Sequence, residues 1–114
     1  MLARDHAGIH PLFLTRQGDE VVFASEIKSL MPAMRCGLQP DYSALDQIFT
    51  VWSPLPPATG FLGVEQLMPG ECLVLSESAD RRFSFFEWSY PEAGLERRDS
   101  SENLAAELRE ILED

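Results

Sequence analysis

Apolar and polar positions fall into a clear pattern in only a few stretches of this chain, and those stretches outline its elements. Leu12-Phe13-Leu14-Thr15 and Val21-Val22-Phe23-Ala24 are short apolar runs rich in β-prone residues. Arg16-Gln17-Gly18-Asp19-Glu20 lies between them, a polar glycine-containing loop, so the pair reads as a hairpin. Ser25-Glu26 is placed to cap a brief helical turn through Leu30, with Pro32 as its stop. Asp41 follows Pro40 as an N-cap candidate, and Leu45, Ile48, Phe49 and Trp52 recur at i, i+3, i+4 and i+7. That spacing predicts a helix ended by Pro54 and carrying one apolar stripe into the core. Ser53 to Pro57 holds three prolines in five residues and is expected to run extended.

The second half reads the same way. Met68-Pro69-Gly70 is a turn that leads into a strand over Glu71–Leu75, and Ser76 to Asp80 is polar enough for a hairpin loop. Phe83-Ser84-Phe85-Phe86-Glu87-Trp88 alternates and then slips by one at Phe86, which predicts a bulge or a strand end. Pro91 to Ser100 lacks periodicity and reads as a connector. A last helix begins near Asp99 or Ser100, with Asp99 and Glu102 spaced as a capping box. Leu104, Leu108, Ile111 and Leu112 share one of its faces, read as core packing.

Composition narrows the class. The 114 residues are 45% hydrophobic and 25% charged, which suits one globular domain. Nine basic against nineteen acidic residues give a net charge of -10, concentrated in the second half. Such a surface repels phosphate backbones and anionic lipid, so neither nucleic acid nor membrane is an expected partner. No apolar run approaches the roughly 20 residues of a membrane span, and Met1–His6 lacks a signal-peptide pattern. A cytoplasmic protein is expected.

The chemistry-bearing residues are sparse. Cys36 and Cys72 form no CxxC pair and lack His/Cys neighbours at zinc spacing. Cys72 sits in a strand-like run and reads as a buried structural thiol; Cys36 reads as a loop residue. His6 and His10 stand at i, i+4, but Gly8 between them and Pro11 after them make a turn rather than a helical metal site. Gly60-Phe61-Leu62-Gly63 lacks the Lys and Ser/Thr of a phosphate cradle. Residue types and spacing therefore nominate no catalytic, substrate-binding or metal-binding residue.

One resemblance runs along most of the chain. Arg4-Asp5-His6-Ala7-Gly8-Ile9-His10-Pro11-Leu12 reads as R-D-x-x-G-x-x-P-L, and Phe23-Ala24-Ser25-Glu26-Ile27-Lys28-Ser29-Leu30 as F-A-S-E-x-K-x-L. Leu55-Pro56-Pro57-Ala58-Thr59, Phe61-Leu62-Gly63-Val64 and Leu67-Met68-Pro69-Gly70-Glu71 follow in order. Phe85-Phe86-Glu87 stands at a Tyr-Trp-Asp position. Together these resemble the class II (N-terminal nucleophile) glutaminase domain of glutamine-dependent asparagine synthetases.

The resemblance implies an α+β fold: part of an αββα sandwich, mostly antiparallel, with two to three helices. Residues 1–92 would be the back half of a glutaminase-like domain, and 93–114 a connector and first helix towards a synthetase domain. Arg4 and Asp5 would lock the Gly8–Pro11 turn by hydrogen bonds. The family hydrolyses glutamine with an N-terminal cysteine whose amine serves as base; this sequence opens Met1-Leu2. The family's glutamine-binding segments precede the R-D motif, and its S-G-G-x-D-S pyrophosphate loop follows the last helix. The expectation is thus a catalytically empty fragment with no cofactor of its own, ATP and Mg belonging to the full-length family. Its expected partners are the other glutaminase half and the synthetase domain, or a second copy. Leu12, Leu14, Val22, Val74, Phe83 and Phe85 are the expected uncovered surface. A free-standing, non-catalytic binding module is the rival expectation.

Overall fold

The hairpin forms where the pattern places it. In the computed structural model, which describes residues 1–76 and 79–113, β2 (Phe13–Gln17) pairs antiparallel with β3 (Glu20–Ala24) across the two-residue turn Gly18-Asp19. The other edge of β2 takes β4 (Val64–Gln66), giving a sheet of order β3-β2-β4. The sheet that opens the chain, called the first here with β3-β2-β4 as the second, is also antiparallel and has the order β1-β5-β6, from Leu2–Ala3, Glu71–Val74 and Arg81–Ser84. With the helical elements described below, the fold is α+β. Strands β1 and β4, two and three residues long, are too short for alternation to mark them in the sequence.

The two sheets share one core. Leu2 and Leu73 of the first sheet meet Leu14 and Leu67 of the second, with Leu12, Val21 and Leu75 packed around them. Because successive strand residues point to opposite faces, Thr15 turns away from this cluster. It pairs with Val22 and Val64 on the other side of β2. There a 3-10 helix over Ile27–Ala33 lies against β2 and β3, and its Leu30 is fully buried. The order of layers is therefore sheet, sheet, helix. Arg16 with Asp80, and Arg82 with Glu65 at 2.7 Å, tie the sheets together at their solvent-facing rim.

Several expectations are corrected. Leu14, placed among the uncovered residues, is 1% exposed because the first sheet covers it; Leu12, Val22 and Val74 are half-buried, while Phe83 and Phe85 are exposed. The turn after Ser25-Glu26 runs past Pro32 to Ala33, and no side chain caps it. Successive i→i+3 bonds, Ser29 N–H to Glu26 and Met34 N–H to Met31, leave Pro32 as the first inner residue of the second turn, where it needs no donor. Leu55–Ala58 is a turn rather than extended chain, closed by Ala58 N–H to the Leu55 carbonyl at 3.1 Å. The φ that proline presets suits a turn corner as well as an extended strand.

Helix α1 (Tyr42–Val51) starts where expected, with Asp41 accepting from the Ser43 and Ala44 N–H groups. Its stripe is not core throughout. Ala44 is buried and Leu45 and Ile48 reach the Gly60 backbone, whereas Phe49 is 85% and Trp52 92% exposed. Trp52 is the C-cap in the left-handed region (φ 66), so its side chain leaves the helical face that the spacing assumed. Strand β6 ends at Ser84, as the slip at Phe86 indicated, and 85–100 holds no regular element.

The 76–80 loop contains Glu77 and Ser78, which lie outside the described residues. Helix α2 (Ser101–Glu113) is capped by Ser100, whose Oγ accepts from Asn103 N–H. Asp99, expected in that role, instead accepts from Arg97 Nε at 2.7 Å. No residue of α2 is buried, so its leucine face is open surface rather than core.

Candidate functional site

The residues from Arg4 to Pro11 leave β1 and turn back towards β2, and Arg4 is the centre of that turn. Its side chain is only 8% exposed and donates three times, each to a backbone carbonyl. Nε reaches His10 at 3.1 Å, Nη1 reaches Leu67 at 2.8 Å and Nη2 reaches Gly8 at 2.9 Å. Leu67 lies 63 positions along the chain, just past β4, so one guanidinium joins both sheets. A planar fork of fixed donors suits such a role better than an ammonium.

Asp5 completes the lock from the other side. Its two carboxylate oxygens accept from Ile9 and His10 N–H at 3.0 and 3.1 Å. Its carbonyl accepts from Gly8 N–H and from Gly70 N–H, both at 3.1 Å. The Ile9 and His10 N–H groups hold the Asp5 carboxyl below its ordinary value of 3.8. Gly8 fits because its φ is +69 and any Cβ would stand 2.7 Å from Pro69 Cγ. Every donor of Arg4 that faces the turn is thus spent on backbone, as are both oxygens of Asp5. The pair builds the turn.

Pro69-Gly70 forms the neighbouring turn, closed by Glu71 N–H to the Met68 carbonyl at 3.1 Å. Gly70 has φ +71, as the third residue of a type II turn requires, and the Phe86 carbonyl lies 2.7 Å from where a Cβ would be. Glu71 carries no spacing signal in the sequence, yet its carboxylate accepts from Met68 N–H at 2.9 Å. Neither does Thr59, buried at 3% exposure, whose hydroxyl donates to Val64 at 2.9 Å and accepts from Phe61 N–H at 3.2 Å. A lone threonine amid prolines and apolar residues was the available signal for it.

The remaining candidates stay apart. Cys72 is buried on β5 and Cys36 exposed in a loop, both free thiols. His6 and His10 are exposed, and His10 enters the lock through its backbone alone. Among the described residues, no three His, Cys, Asp or Glu side chains gather to hold a metal ion. No helix among them is long and apolar enough to cross a membrane. The locked turn positions the two sheets against each other.

The same segments carry the relationship to known proteins. Glutamine-hydrolysing asparagine synthetase 3 of Bacillus subtilis (strain 168) is 29% identical over 114 residues, and synthetase 1 of that organism 32% over 113. Synthetase 2 is 30% identical over 125. Each alignment takes in 98–99% of this chain but only 16–18% of the relative, so the chain spans about a sixth of their length. No solved structure is significantly similar to it. The model of the glutamine amidotransferase domain matches residues 1–86, from β1 through the locked turn to the end of β6, and the chain belongs to that family.

Proposed function

We propose that this chain is a scaffold segment of a glutamine-hydrolysing asparagine synthetase. The whole protein would make asparagine from aspartate and ATP with ammonia released from glutamine. The observation that carries this reading is alignment of nearly all of the chain with three such enzymes. The Arg4–Asp5 lock supports it, since it explains physically why R-D-x-x-G-x-x-P holds together. In this reading residues 1–92 are the back half of the glutaminase domain and 93–114 lead into the synthetase domain. The uncovered apolar faces of β6 and α2 support partners of that kind over a free-standing binding module. The enzyme works in the cytoplasm, in keeping with an exposed, unpaired Cys36.

The 114 residues by themselves hydrolyse no glutamine. Both cysteines are internal, so neither thiol carries the free α-amine that the family's nucleophile uses as its base, and Cys72 is only 4% exposed. The test is an exchange: residues 1–92 replace the aligned segment of Bacillus subtilis synthetase 3, and asparagine is measured with glutamine or ammonia as donor. The reading expects both activities to survive. Loss of the glutamine-dependent rate with the ammonia-dependent rate intact contradicts it, because the segment then fails to build the same domain.

A further inference from the structure

Beyond the lock, the end of β6 forms a cleft of about 470 Å³ whose walls include His6, Met68, Glu71, Phe86, Glu87 and Trp88. Phe86 and Trp88 stand edge to face, with centroids 5.1 Å apart and planes at 85°, so they make two walls of a corner. His6 forms a third, its ring 4.8 Å from Phe86 and 6.0 Å from Trp88. Two bonds fix the chain beside the corner: Phe85 N–H donates to the Gly70 carbonyl at 2.8 Å, and the Ser84 hydroxyl donates to the Phe86 carbonyl at 2.8 Å.

Charge decides what such a corner takes. No lysine or arginine lines it, and two carboxylates do. Glu71 is partly balanced, with Arg82 Nε 3.7 Å away and Met68 N–H on its other oxygen. Glu87 has no ion pair or hydrogen bond among the described residues. Aromatic faces attract cations within about 6 Å of the ring centroid, most strongly when the cation is weakly hydrated. A free carboxylate beside them adds to that attraction, and the chain's net charge of -10 concentrates cations around it.

We propose that this corner binds a small quaternary ammonium cation, with Phe86 and Trp88 as its walls and Glu87 as its counter-charge. The rings stabilise the methyl groups by dispersion and the positive charge through their quadrupoles.

The test uses Trp88 fluorescence in the full chain carrying Trp52→Phe, titrated with tetramethylammonium chloride. Sodium chloride at equal ionic strength and the neutral isostere neopentyl alcohol are the controls. The expected result is a saturable change with tetramethylammonium only, weakened about fivefold by Phe86→Leu. Glu87→Gln, at an exposed position that does not affect folding, should weaken it about threefold. Equal binding of neopentyl alcohol, a change that never saturates, or indifference to Glu87→Gln overturns the proposal. Tighter binding of Nα-acetyl-lysine amide than of tetramethylammonium also overturns it, because the site then reads a lysine side chain.

Discussion

Arg4 carries more of this structure than any other single polar residue. Replacing it with Met leaves three carbonyls without their donor in a region that is largely closed to water. Charge-assisted bonds of this kind are worth about 1.5–3 kcal/mol each, so Arg4→Met should cost at least about 3 kcal/mol in urea unfolding. Arg4→Lys should recover less than half of that, since one ammonium cannot span His10, Gly8 and Leu67 together. Asp5 adds a pH dependence whose sign follows from its partners. Its folded carboxyl titrates below 3.8, so its stabilisation is present above that value and is lost as pH falls through the lower folded value. Hydrogen exchange at Ile9 and His10 should therefore accelerate selectively in that acid range, and Asp5→Asn should remove the dependence. Gly70→Ala should cost about 2 kcal/mol or more, because the left-handed backbone and the Phe86 carbonyl both oppose a Cβ. The sequence displayed the Arg-Asp pair and the turn beside it. It could not display the Leu67 carbonyl, which reaches Arg4 only after two sheets have formed.

At the scale of elements, legibility followed length and periodicity. The β2–β3 hairpin, the Asp41 cap and the end of β6 were readable because each rests on local chemistry. Strands β1 and β4 were not, since two or three residues show no alternation and exist only through their partners β5 and β2. The α1 stripe misled in an instructive way. Spacing shows which residues share a face but not where the helix ends, and a left-handed C-cap turns Trp52 out. Trp52→Ala should accordingly change unfolding free energy by less than about 0.5 kcal/mol. Leu30→Ala, in a 3-10 helix that the pattern treated as a minor turn, should cost about 2–5 kcal/mol, because Leu30 is fully buried between that helix and the second sheet. Chemical denaturation of the two variants side by side checks both values. The reverse ranking would mean that α1, and not the 3-10 helix, covers the second sheet.

The whole molecule is more extended than its length requires. Its radius of gyration is 19.1 Å, where about 13 Å would suit a closed domain of this size. Residues 85–100 form no regular element, and α2 beyond them buries nothing. Phe83 and Phe85 look outward from the first sheet, on the face that no helix covers, and Leu108, Ile111 and Leu112 from the last helix. The candidate site was legible as a resemblance and not as chemistry, because the motif residues Arg4 and Asp5 are engaged with backbone groups that arrange the sheets. As proposed above, these 114 residues are one part of a layered domain whose open apolar faces take neighbours. Sedimentation velocity of the 114-residue chain over a range of concentrations, with an apolar-surface dye present, is the decisive measurement. The chain should self-associate as its concentration rises and should bind the dye, despite a net charge of -10 that opposes self-association. A monomer at every concentration that binds no dye would contradict it and identify a self-sufficient module.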